Sequence, residues 1–298
     1  MIGLIQETTE IQKYVRVAGT FKATSFLPFV VDAQKKLIPY IGSALLEALD
    51  SWYNSTTPPV NASYSALLPY VQSPIAKFTL SLAAPSQDTL LTESGFVVMS
   101  NTQLSPASDK RVKSFIESME SLGWTGVESL LKFLEENKAD YAAWTNSTAY
   151  TEYFNNFITN AVDFDSIIRI DQSRLKFMQM KPSMDNVEVL RIEPVISKAM
   201  ADDIKGLIKA GTALTSAYTA IHKNIQRAVA YFTMFAETQR REYGELGNSY
   251  LAEVKKTIDK TPADYPLYTA SDCYDAEKTS YSLFENKEEN PIFSMGAH

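Results

Sequence analysis

This chain has almost no histidine or cysteine: His222, His298 and Cys273 are all it carries. A single cysteine excludes an intrachain disulfide, so the fold does not rest on the cross-links of an oxidising compartment. No apolar run reaches the roughly 18 residues that a membrane-spanning helix needs. The opening stretch, MIGLIQETTEIQKY, lacks a basic segment, a long apolar core and a small-residue cleavage site, and is expected not to act as a signal peptide. Lys and Arg number 28 against 35 Asp and Glu, a net charge of −7. That disfavours a surface that wraps nucleic acid with clustered cations, though not a wall that faces DNA without gripping it. Glycine-rich phosphate loops, a nucleophile elbow, zinc-spaced Cys/His clusters and the Glu-x-x-His pairs of di-iron bundles are also missing.

What the chain does have is the same pattern written twice. Tyr64 to Leu82 reads YSALLPYVQSPIAKFTLSL, and Tyr218 to Ala236 reads YTAIHKNIQRAVAYFTMFA. Tyr, Ala, Gln, Ala, Phe and Thr recur without a gap. A second echo follows each copy: ADYAAWTNS at 139–147 and ADYPLYTAS at 263–271. Two ordered matches point to an internal duplication, with halves near 1–160 and 161–298. The 298 residues are 45% apolar and 21% charged, a globular balance in which a chain of this length buries roughly 75% of its unfolded surface.

The periodicity is helical almost throughout. Tyr64, Leu67, Leu68, Val71, Ile75, Phe78 and Leu82 form one stripe of a 3.6-residue period, matched by Leu214, Tyr218, Ile221, Ile225, Val229 and Phe232. Pro69 and Pro74 predict a kink or a late start in the first copy, because each removes a backbone donor. Ser25 and Ser108 are expected to cap helices, and Gly123-Trp124-Thr125-Gly126 to break one. Thr89 to Met99 reads as a β-hairpin, with Glu93-Ser94-Gly95 between Leu90-Leu91 and Phe96-Val97-Val98, and has no counterpart in the second half. The second copy is expected to begin near Phe164, with Ser173 to Phe177 standing where Thr9 to Tyr14 stood. Ile192 to Ser197 echoes Ile38 to Ser43. Residues 284–298 run from acidic to apolar, ENKEEN then PIFSMG, and read as an arm that lies on something. The expected fold class is therefore mainly α: a helical bundle of two tandem pseudo-repeats with one small hairpin inserted in the first.

The residues that could carry chemistry read more simply as structure. His222 takes the place of Leu68 and is expected to be a partly buried helix residue. The carboxylate pairs Asp163/Asp165, Asp202/Asp203 and Glu135/Glu136 lie too close in sequence to face one another on a helix. Asp272 beside Cys273 raises a thiol pKa, the wrong direction for a nucleophile. Lys35-Lys36, Arg240-Arg241 and Lys255-Lys256 read as polar helix faces. The 16 tyrosines and 15 phenylalanines lean toward assembly, since aromatic residues are enriched at protein–protein interfaces. No catalytic, cofactor or metal site is expected, and the chain is expected not to be an enzyme.

Phe26 to Leu49, FLPFVVDAQKKLIPYIGSALLEAL, resembles the N-terminal signature of head–tail connector proteins of tailed bacteriophages, the adaptor or head-completion proteins, especially of Bacteroides-type hosts. The likeness continues through the Tyr64 helix into Leu91 to Val98, and recurs at Ser173 to Phe177 and at Ile292 to Met295. Ordinary adaptors of this kind are single-copy; this chain departs from them by its duplication. The resemblance implies a helical virion protein that forms a homo-oligomeric ring, about twelve-fold, beneath the portal vertex. It would dock portal and tail proteins and line a channel through which double-stranded DNA passes without specific binding. It would assemble in the bacterial host cytoplasm, with no membrane partner. Leu91, Phe96 and Val98 of the hairpin and Ile292, Phe293 and Met295 of the arm are the expected assembly contacts. The other reading is an intracellular bacterial scaffold or binding protein that uses a groove between its repeats.

Overall fold

The computed structural model describes residues 3–17, 26–57, 60–86, 89–92, 95–98 and 108–275. Two units are distinguished by their internal packing. One comprises Met1–Phe154 with Ser173–Met178, the other Asn155–Gln172 with Gln179–His298, where a single boundary at 160/161 was expected.

In the first unit a buried irregular segment, Gly3 to Ile5, leads into α1 (Thr8–Gln12). There follow α2 (Leu27–Lys35), α3 (Ile38–Ile41), α4 (Ser43–Tyr53), α5 (Ala62–Ala83), α6 (Asp109–Glu136), α7 (Ala142–Thr145) and α8 (Thr148–Tyr153). Helices α5 and α6 form the spine, with α2 laid on α5. Leu67, Val71, Ile75 and Phe78 of α5 meet Val127, Leu130 and Leu134 of α6 in one core that also takes Val30, Leu37, Leu45 and Leu49.

The prolines of α5 do not delay its start. The helix begins at Ala62, where the Asn61 side chain accepts the Tyr64 N–H at 2.9 Å and replaces a missing intrahelical partner. Nor does Gly123-Trp124-Thr125-Gly126 break α6, which runs unbroken to Glu136. Both glycines face α5. A Cβ at Gly123 would stand 2.4 Å from the Phe78 ring, and one at Gly126 3.2 Å from Pro74. They are there to let two helices approach, not to end one. Ser108 occupies the N-cap of α6 but makes no capping bond with its side chain, and Ser25 lies outside the described residues.

The fold class needs one correction. Among the described residues the packed body is helical, and the hairpin expected as part of it is not seen there. The segments β1 (Thr89–Thr92) and β2 (Gly95–Val98) pair antiparallel with each other alone, Thr89 opposite Val98 and Thr92 opposite Gly95. Two strands of four residues are too few and too short to form a layer of a fold by themselves. Their backbone alone is described, so the side chains of Leu91, Phe96 and Val98 lie outside the described part, as do Ile292, Phe293 and Met295 entirely.

The second unit repeats the same elements. A buried segment, Asn156 to Ile158, precedes α9 (Ala161–Asp165). Then come α10 (Arg174–Val187), whose residues up to Met178 belong to the first unit, a π-helical turn (Glu188–Ile192), α11 (Glu193–Ile196), α12 (Lys198–Lys209), α13 (Ser216–Thr238), α14 (Arg241–Lys260) and α15 (Pro266–Thr269). Helices α13 and α14 form its spine. The second copy thus starts at Asn155–Asn156 rather than near Phe164, and α9, not Ser173 to Phe177, stands where α1 stood: buried Phe164 takes the place of buried Ile11.

The turn after α11 corrects the alignment by one residue. Gly42 closes α3 at φ 77°, ψ 154°, and the residue in that conformation in the second unit is Ser197, at φ 73°, ψ 149°. Ile196 therefore matches Ile41, where the sequence echo had set it against Gly42. Upstream, Met184 matches Val30 without that extra residue. The π turn at Glu188–Ile192 lies between the two registers and absorbs the insertion, as single-residue insertions in helices do.

Candidate functional site

The buried polar side chains recur at matching positions in both units, and they act on the backbone. In the first unit the Gln34 side-chain oxygen accepts the Leu4 N–H at 2.6 Å, and the Gln72 amide donates to the Leu4 carbonyl at 2.7 Å. In the second, Glu188 accepts the Phe157 N–H at 2.8 Å, and Gln226 donates to the Phe157 carbonyl at 3.0 Å. Leu4 and Phe157 are both fully buried. An irregular segment inside a helical core has no strand or helix to pair with, so two side chains supply its donor and acceptor.

The charges around this clamp change places between the copies. In the first unit Asp50 of α4 accepts the Gly3 N–H at 3.0 Å and lies 3.5 Å from the Gln34 amide. In the second the acid sits on the clamp itself, as Glu188, and α12 supplies Lys205, whose ammonium donates to Glu188 at 3.2 Å. Burial raises the Glu188 pKa above its ordinary value, against the opposing pull of the Phe157 N–H and of Lys205.

The two echoes seen in the sequence are wired together. Tyr141 donates its hydroxyl to the Ser63 carbonyl at 2.8 Å, and Tyr265 to the Ala217 carbonyl at 3.0 Å, each just before the repeated tyrosine, Tyr64 or Tyr218. Asn61 and Thr215 cap the N–H of those same tyrosines. Phe78 and Phe232 are buried equivalents, each under a cation: the Lys36 ammonium lies 4.8 Å from the Phe78 ring centre and the Arg191 guanidinium 5.7 Å from that of Phe232.

The carboxylate pairs do not converge. Asp165 accepts the N–H groups of Ile170 and Gln172, which holds its pKa below the ordinary value, while Asp163 accepts from Asn160. Asp202 pairs with Lys198, and Asp203 accepts the Tyr218 hydroxyl. Glu135 holds Arg174 at 2.6 Å; Glu136 faces Lys132. Glu128 accepts the backbone N–H groups of Arg174 and Leu175 and the Ser173 hydroxyl, pinning the first turn of α10 to α6 in the first unit. His222 is half-buried with its pKa lowered by desolvation. Cys273 has its sulfur 3.7 Å from the Glu193 carbonyl. Among the described residues no three His, Cys, Asp or Glu side chains gather as metal ligands, and no helix is long and apolar enough to cross a membrane.

One surface differs between the copies. A groove of about 300 Å³ opens in the first unit between α5 and α6, lined among others by Tyr70, Ser73, Lys77, Gly126 and Ser129. The Lys77 ammonium donates to Ser73 Oγ at 3.0 Å, has no carboxylate within ion-pair distance among the described residues, and is held below its ordinary pKa by burial.

Helical units that repeat their packing, caps and buried polar clamps define a protein made of two copies of one helical unit. The sequence matches the family of unknown function DUF6712 over residues 37–153 and 235–278, more than half the chain, and the protein belongs to that family. In the register that sets Ala139 against Ala263, the two matched stretches end at nearly the same point of each copy. No curated protein matches the chain. No solved structure matches it.

Proposed function

We propose that this protein is a structural subunit of a bacteriophage virion, a connector-ring protein that joins portal to tail and surrounds the DNA channel. The observation that carries the reading is where the buried polar groups are spent. Gln34, Gln72, Glu188 and Gln226 hold backbone of their own unit, once in each copy. Such groups rigidify a block and leave little for turnover. The segment that resembles connector proteins, 26–49, forms α2, α3 and α4 around the Gly42 turn, next to the clamp. An excess of acid over base suits a wall along which DNA slides. The test is to mix the purified chain with its portal protein and examine the product by sedimentation and negative-stain microscopy. Closed rings stacked on the portal support the reading. A chain that stays monomeric and never co-sediments with the portal rejects it.

A further inference from the structure

The groove of the first unit is an empty version of a place that the second unit fills with its own residues. In the register that pairs Phe78 with Phe232 and Gly123 with Gly247, Ser73 corresponds to Arg227, Lys77 to Tyr231 and Gly126 to Tyr250. In the second unit Tyr250 stacks on Tyr231, with ring centres 5.6 Å apart and planes 11° from parallel, and Arg227 lies 5.3 Å from the Tyr250 ring centre. An aromatic ring against a cation is what this place accepts. In the first unit Gly126 removes the ring and a serine replaces the arginine. The cation is Lys77, held by Ser73 and matched by no described carboxylate.

We propose that this groove receives the C-terminal arm of a second copy, an aromatic side chain entering beside Pro69 and Tyr70 while a neighbouring carboxylate pairs with Lys77. The arm has that chemistry: Phe284-Glu285, and Glu288-Glu289-Asn290-Pro291-Ile292-Phe293, put acids next to phenylalanines. Its 15 residues, 284–298, lie outside the described part of the chain. The proposal rests on the ring reading, in which every subunit has a neighbour to supply an arm. It names the seat as well as the partner: the α5–α6 face of the first unit.

The test uses the full chain carrying Phe293→p-benzoylphenylalanine. Isotopically heavy and light chains are mixed in equal amounts, allowed to assemble and irradiated, and the cross-links are mapped by mass spectrometry. The proposal expects mixed-label links from the arm to the peptides bearing Tyr70 to Lys77 or Gly123 to Ser129. Lys77→Glu should lower their yield about tenfold, the effect of replacing an ion pair by a like-charge contact. Lys77→Gln, which keeps the bulk and removes the charge, should lower it less, and thermal melts confirm that both variants are folded. Same-label links alone would assign the groove to the chain's own arm and overturn the second-copy occupant. Links elsewhere, no links, or a yield indifferent to Lys77, would overturn the groove. Binding to the portal protein is measured on the same samples, so a groove that fails while the portal still binds leaves the ring reading standing.

Discussion

At the scale of single residues the two copies run a natural exchange experiment, because equivalent positions carry different chemistry. Ser197 adopts φ 73°, ψ 149°, a conformation that belongs almost entirely to glycine, and its match in the first unit is Gly42. Ser197→Gly should relieve about 1–3 kcal/mol of strain and lose a few tenths from the cap to the Met200 N–H, together with a long bond to the Leu267 carbonyl. A net rise in the denaturant midpoint is expected. Gly42→Ser should do the reverse, since its Cβ would stand 2.7 Å from that of Ser147. The clamps offer a second exchange. Lys205→Asp sets two carboxylates together in a buried place and should cost about 3–5 kcal/mol. Adding Glu188→Gln restores the Gln/Asp pairing of the first unit and should recover most of that loss in a double-mutant cycle. The pH dependence follows from the raised Glu188 pKa. The folded chain holds this proton more tightly than the unfolded chain, so the group's contribution is complete below its ordinary 4.5 and is lost as pH rises through the folded value. Glu188→Gln should flatten that part of the stability profile, read by urea unfolding from pH 4 upward.

At the scale of elements, the spine helices are fixed by ring-on-glycine contacts. Phe78 and Phe232 are buried in both units, and truncating either to alanine should cost about 3–5 kcal/mol through the cavity left behind. Equal losses for the two would agree with equivalent cores, whereas a negligible loss at either would contradict the packing. The first turn of α10 depends on one side chain. Glu128→Ala removes the acceptor for the Arg174 and Leu175 N–H groups, so amide exchange over 174–178 should quicken while that of α5 stays slow. Helices α5 and α13 were legible in the sequence because their apolar stripe repeats without a gap, and a stripe at helical period has one physical meaning. The capping role of Asn61 and the clamp at Leu4 were not. A glutamine at 34 or 72 reads as an ordinary polar residue until folding brings it to a segment far away in sequence. The exchange of Gln34 and Asp50 for Glu188 and Lys205 also removed the identities that would have marked the second clamp. The same loss of identity hid α9 behind a false match at Ser173 to Phe177. The π turn shifted the echo at Ile192 by one residue, since a one-residue insertion inside a helix leaves the period of the sequence almost unchanged. The glycines at 123 and 126 read as a break because glycine is a poor helix former. Only the partner helix, with Phe78 and Pro74 against them, turns that local preference into close packing.

At the scale of the whole molecule, the duplication conserves what builds a unit and varies what faces outward. The cores, the tyrosine bonds to the spine helices and the clamps recur, while the α5–α6 groove, filled in one copy and open in the other, does not. In the proposed reading, two related but unequal copies suit a ring whose two faces meet different partners. The most direct measurement is cryo-electron microscopy of the tailed-phage particles proposed to carry this protein, with the density at the portal vertex traced against the two helical units. The prediction is a closed ring of copies between portal and tail, with α5 and α6 of each first unit at a subunit boundary. A particle in which the protein is absent from that vertex would contradict the proposed function, however well the two copies match each other.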